Sequence, residues 1–133
     1  MPKEKEKEVK NYRYTRVYTD ENGETHFEDV AIELLPTIFA PPAPALNLSN
    51  LSEATRYGFV NAPSDWFGNW HPTPKRQVFI YLSGEMEAKV SDGEVRSFGS
   101  GSVTLVEDTT GKGHLSRVIG DEDVLAVVIQ LED

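Results

Sequence analysis

The chain has no cysteine among its 133 residues. That excludes disulfides, zinc–thiolate centres and thiol nucleophiles together. It is short of positive charge, with 13 Lys and Arg against 22 Asp and Glu and a formal net charge of -9. Such a balance repels nucleic acid and anionic membrane surfaces, so neither is an expected partner. No apolar run approaches the roughly 18 residues that a membrane-spanning helix needs. The N-terminal stretch MPKEKEKEVK lacks the apolar centre of a secretory signal, which makes the cytoplasm the expected location. Helical periodicity is almost absent, and what remains is a chain of short β-type runs separated by turn residues.

Residues 1–10 alternate charge without apolar periodicity and are expected to be a solvated, disordered leader to one domain spanning 11–133. Tyr12–Thr19 and Glu24–Val30 are rich in aromatic and β-branched residues, and Asn22-Gly23 between them is a hairpin signal. The apolar run then continues through Ala31–Leu35 to Pro36. Phe39 to Leu46 follows, carrying Pro41, Pro42 and Pro44. It is too proline-rich for a helix or central strand and is expected to lie extended over the domain or a partner subunit. Ser52–Thr55 suits one helical turn, and Arg56–Asn61 a further short strand.

From Gln77 onward the chain is densely β. Strands are expected at Gln77–Leu82, Glu85–Val90, Glu94–Phe98, Ser102–Val106, His114–Ile119 and Val124–Leu131, with explicit turns at Ser83-Gly84, Asp92-Gly93, Gly99-Ser100-Gly101 and 120–123. The last strand is apolar on both faces, which places it centrally rather than at an edge. Many short strands at even spacing indicate a sandwich or barrel. Unpaired edges in such a sheet need cover, and the N-terminal hairpin and proline segment are long enough to supply it to a second copy.

Two stretches carry the chemistry. Trp66 to Gly84 opens with aromatics and prolines around His71 and runs into an apolar strand. Gly99 to Val118 sets His114 beyond a glycine-rich loop. Histidines at neighbouring strand ends are a common way for a small barrel to build a metal or acid–base site at its mouth.

The order of these features resembles the cupin superfamily. The spacing His71-x-Thr73-x-x-x-Gln77, then six residues to Gly84, matches that family's first motif. Gly99-Ser100-Gly101 through Val106, a loop and His114 match the second, within residues 66–131. The resemblance implies an all-β, antiparallel jelly-roll β-barrel, to which the residues themselves add the N-terminal β-hairpin and the proline-rich extended segment. It also implies a small organic ligand or substrate, and a homodimer.

Thr73 and Gln77 stand where the family usually has His and Glu. The metal set carried over is therefore His71, Gln77 and His114, for a divalent Fe, Mn, Ni or Zn ion. His71 and His114 are the expected catalytic pair, with Trp70, Thr73, Gln77 and Glu107 around the ligand. Asp108 is a second carboxylate in the same loop, Trp66 and Phe67 are further candidates for stacking, and Lys75 and Arg76 a basic pair beside the motif. His26, distant from both motifs, is expected to be structural.

Two functions stay open at this point. One is a small cupin enzyme, with a metal polarising an oxygen or activating water or dioxygen, or with a histidine as general base. The other is a metal-free, non-catalytic binder of a small molecule.

Overall fold

The computed structural model describes residues 11–132; the charged stretch 1–10 lies outside the described residues. Among these, every regular element is a strand: β1 Arg13–Thr19, β2 Thr25–Ala31, β3 Leu35–Thr37, β4 Leu46–Leu48, β5 Ala54–Ala62, β6 Phe67–His71, β7 Gln77–Ser83, β8 Glu85–Val90, β9 Val95–Phe98, β10 Val103–Val106, β11 His114–Ile119 and β12 Val124–Leu131. The six strands from β7 to β12 fall where the sequence places them, within a residue or two at each end. The turns hold because glycine occupies the left-handed positions. At Gly84, with φ +76°, a Cβ would sit 2.3 Å from the Asp123 carbonyl oxygen, so only hydrogen fits between the two turns.

The strands form two principal sheets, ordered β2-β1-β10-β7-β12-β5 and β6-β11-β8-β9, with β3 and β4 paired only to each other. β12 is central, bonded to β7 on one side and β5 on the other, as its apolar faces require. The pairing is antiparallel except for β1 with β10, which run parallel. The N-terminal hairpin therefore extends the protein's own large sheet. The proline segment is the tip of the small β3–β4 hairpin, in the connection from β2 at one sheet edge to β5 at the other.

One local expectation is corrected, and one strand is added. Ser52–Thr55 forms no helical turn, because Ala54 already pairs with Leu131 and draws the segment into β5. Phe67–His71, a cluster of aromatics with no strand alternation to mark it, pairs with β11 as β6.

The inner faces of the two sheets meet in a core of Val17, Phe27, Tyr81, Val106, Val124 and Ala126 from the large sheet and Val90, Phe98 and Val118 from the small one. Aromatic rings bridge the layers. Phe27 meets Phe98 edge-on at 6.0 Å, Phe98 stacks on Tyr81 at 5.8 Å, and Tyr81 lies 6.4 Å from Phe79. These rings are walls rather than a plug, since a cavity of about 270 Å³ remains between the sheets.

At one corner the sheets are joined by polar groups. The Thr25 amide donates to Ser91 Oγ at 2.7 Å, and the Asp92 amide to the Thr25 carbonyl at 3.3 Å. His26 sits between two carboxylates there, with Nε2 2.7 Å from Asp20 Oδ2 and Nδ1 2.7 Å from Asp92 Oδ2. Both ring nitrogens face acceptors, so the arrangement suits the imidazolium. The bonds from Asp20 and then Asp92 raise the His26 pKa, and both carboxyls are held below their ordinary range, Asp20 chiefly by His26 and Asp92 chiefly by the Glu94 amide in its own turn.

The sign of the pH dependence follows. A raised histidine pKa stabilises the fold below its unfolded value near 6.5, and that contribution is lost as pH rises through the higher folded value. The urea midpoint should therefore fall between pH 6 and pH 8.5, and His26→Gln should flatten that slope; an unchanged slope in the variant would show that the corner does not titrate as a unit.

Candidate active site at the barrel mouth

His71 ends β6 and His114 begins β11, and the two are cross-strand partners. Gly113 makes this approach feasible. Its φ is +74°, and a Cβ there would lie 2.2 Å from the His71 carbonyl carbon. A register shift between His114 and Ser116 completes the local bend. The imidazoles lie with centroids 4.8 Å apart, inclined at 56°.

Each ring is held by Nδ1. That of His71 is 2.5 Å from the Asn69 carbonyl oxygen, which can only accept, so Nδ1 carries the hydrogen. That of His114 is 2.6 Å from Asp108 Oδ2. Asp108 is fully buried, and its other oxygen, Oδ1, has no partner among the described residues. With Nδ1 committed on both rings, Nε2 is the nitrogen left to act on something else.

Thr73 and Gln77 are buried beside the histidines and joined to each other. The Thr73 hydroxyl donates to the Lys75 carbonyl at 2.8 Å, Gln77 Nε2 donates to Thr73 Oγ1 at 3.2 Å, and Gln130 Nε2 donates to Gln77 Oε1 at 3.3 Å. The Thr73 amide donates to the Asp108 carbonyl at 3.0 Å, which ties this chain to the loop before His114.

The cavity lining brings together His71, Thr73, Gln77 and His114 but contains neither Trp70 nor Glu107, two residues expected there. Trp70 lies exposed on the edge strand β6. Glu107 points away because side chains alternate at the end of β10: Val106 faces in, Glu107 out and Asp108 in. Outside, Glu107 is clamped by Arg16 Nε at 2.5 Å and Arg76 Nε at 2.7 Å. Burial alone pushes its carboxyl up, and the two guanidinium bonds more than reverse this, leaving it below the usual carboxylate range. Asp108 is thus the loop carboxylate that serves the site, and counting in twos from Val106 is the signal that separates it from Glu107. Of the other aromatic candidates, Trp66 lines the cavity and Phe67 is exposed.

The donor chemistry does not suit a divalent metal. Among the described residues no group of three or more His, Asp or Glu is placed to hold an ion. The Gln77 carbonyl oxygen is already engaged by Gln130, and Thr73 is bonded on both sides of its hydroxyl. What remains is two imidazoles, since the nearby carboxylate, Asp108, is turned onto His114 Nδ1 and completes no set of three donors.

No protein-family model matches the chain, and no curated protein matches it. Similar solved structures include a Cupin 2 conserved barrel domain protein from Salinispora arenicola, at 16% identity over 76% of each chain with a TM-score of 0.49. The Schizosaccharomyces pombe Cnp3 cupin domain is 15% identical over 92% of this chain and 84% of that one, with a TM-score of 0.48. A putative ethanolamine utilization protein Q from Salmonella typhimurium is 14% identical over 92% and 98%, with a TM-score of 0.39. In its two facing sheets and the paired histidines at the barrel mouth, the chain resembles the cupin superfamily.

Proposed function

We propose that this chain binds a small organic molecule in the barrel cavity and acts on it by metal-independent acid–base chemistry, with His114 oriented by Asp108 and His71 beside it. The observation that carries this reading is the fully buried Asp108, bonded at 2.6 Å to His114 Nδ1. A carboxylate on one ring nitrogen fixes the tautomer and leaves Nε2 with its lone pair, which is what a proton acceptor needs. His71, held through the same nitrogen by a backbone carbonyl, presents a second Nε2 acceptor on a ring whose centroid lies 4.8 Å away. His114 Nε2 can take a proton from one position of a bound molecule, becoming an imidazolium against the Asp108 carboxylate, and return that same proton at a second position, as an isomerisation requires, while His71 Nε2 accepts a hydrogen bond from the molecule. Simple binding is the competing reading, and it needs no fixed tautomer.

The tautomer is measurable. A long-range proton–nitrogen spectrum at pH 8 should show His114 as the less common Nδ1–H form, and Asp108→Asn should shift it toward Nε2–H. A wild-type ring protonated at Nε2 would overturn the acid–base assignment.

Gln77 supplies the test on metal. Gln77→Glu would place a carboxylate in a buried chain of neutral partners, at a cost of at least about 2 kcal/mol at neutral pH. Burial raises the folded pKa of such a group, so the penalty should fade as pH falls through that raised value and be gone below about 4.3, the unfolded value. Added Mn²⁺ or Zn²⁺ should not restore the melting temperature. A metal-dependent rescue, or about one metal per wild-type chain purified without chelator and lost on His71→Ala, would argue for the metal-centred reading.

We propose further that the working unit is a homodimer. The large sheet is apolar on its outer face too: Val78, Ile80 and Leu82 of β7, Val103 and Leu105 of β10, and Leu125, Val127 and Ile129 of β12 alternate with the core residues. Beside them stand Tyr57 and Phe59 of edge strand β5 and the β3–β4 hairpin with Leu35, Ile38, Phe39 and Leu46, at 55% to 80% exposure. A two-stranded hairpin is marginal alone in water, which favours a covered one. Counted at the usual side-chain areas these groups come to roughly 1,000 Å², above the ~800 Å² per partner of a stable interface. A second copy supplies face and hairpin at once. Light scattering should give twice the chain mass at micromolar concentration, and Tyr57→Asp with Phe39→Asp should halve it; a wild-type monomer would refute the assembly.

A further inference from the structure

The far end of the cavity from the histidines carries polar atoms that the acid–base site does not use. Thr104, 2% exposed, lines the cavity with its hydroxyl unpartnered among the described residues. The Tyr81 hydroxyl neighbours it, and burial pushes the Tyr81 pKa up to about 12 against a smaller lowering from Thr104. Thr104 pairs with Phe79, and Val106, two residues on, pairs with Gln77. Thr104 is therefore two strand residues, or about 7 Å, beyond the Gln77 level that adjoins the histidines. Between the two polar ends the walls are the Phe27, Phe79 and Phe98 rings and Met86. No Lys, Arg, Asp or Glu lines the space.

We propose that the cavity takes a neutral, single-ring aromatic molecule with a polar group at each end, one against His71 and His114 and the other against Thr104. This rests on the small-molecule reading of the site above. A volume of about 270 Å³ admits one ring and little more. Aromatic walls suit a planar apolar body through edge and face contacts. An unpaired buried hydroxyl is costly to leave alone, so a ligand group that bonds to it restores what folding removed. A carboxylate is excluded on charge: it would lose its hydration and meet no cation. The two polar groups of a para-substituted ring are separated by a span close to that between the Gln77 and Thr104 levels.

Three molecules of one size test this with the wild-type protein: 4-hydroxybenzyl alcohol, 4-methylphenol and 4-hydroxybenzoate, followed by calorimetry or by the fluorescence of Trp66 at the cavity wall. The alcohol should bind about 3- to 10-fold tighter than 4-methylphenol, the increment of one hydrogen bond. The benzoate should bind at least about tenfold weaker than the alcohol. Thr104→Val keeps the side-chain shape and should abolish the preference for the alcohol while leaving 4-methylphenol unchanged and the melting temperature no lower. His71→Ala should weaken all three.

Equal binding of the alcohol and 4-methylphenol, or a preference for the benzoate, would overturn the two-ended ligand and leave the site reading standing. If none of the three binds, or if His71→Ala changes nothing, the site reading falls with it.

Discussion

Everything else in the molecule depends on two sheets being held apart at a fixed distance by rings that touch without filling the gap. Phe98 from the small sheet meets Phe27 and Tyr81 from the large one, and Phe79 continues the row. Aliphatic side chains of similar volume would interdigitate and close the space; planar rings in edge and stacked contact stiffen the walls and leave a slot. The same residues are core and cavity lining. The fold thus gives up some packing for a shaped interior, and the polar groups buried around it gain strength from the low dielectric of its walls.

Most of the frame was legible from the residues. Asp92-Gly93, Ser83-Gly84 and Gly99–Gly101 are turn chemistry with one structural solution each, and they bracket β7 to β10 closely. Val124–Leu131 reads as central because an apolar strand needs partners on both faces, and it has them. The parallel β1–β10 ladder was not legible, since pairing partners distant in sequence leave no local trace. Nor was β6: Phe67–His71 lacks period-two alternation because β6 is an edge strand with neither face fully buried.

The site was legible in its histidines and not in its surroundings. His71 and His114 meet because motif spacing fixes them at strand ends, but which acidic residue joins them depends on one step of side-chain alternation. Glu107 and Asp108 are adjacent and chemically alike; the pleat sends one to Arg16 and Arg76 and the other to His114. Thr73 and Gln77, which in sequence look like two degraded ligand positions, form a closed hydrogen-bond chain with Gln130. Such a chain crosses from β7 to β12, and a linear reading has no means of seeing it. The cavity floor was equally hidden, because nothing in the sequence separates Thr104 from any other strand threonine.

Asp108 shows how the frame and the site are coupled. Burying a carboxylate completely, with one oxygen bonded to an imidazole and the other without a partner among the described residues, is an unfavourable arrangement when judged by stability alone. The surrounding backbone enforces it. The Asp108 carbonyl accepts from the Thr73 amide, and Gly113 presses the start of β11 against His71 with no room for a side chain between them. The loop is thereby pinned at both ends, so the carboxylate can neither swing out to solvent nor leave His114. An imidazole held this rigidly keeps one nitrogen free whatever occupies the cavity. The local cost falls on the fold, and the sheet packing, with its rings and its outer apolar face, is what makes that cost bearable.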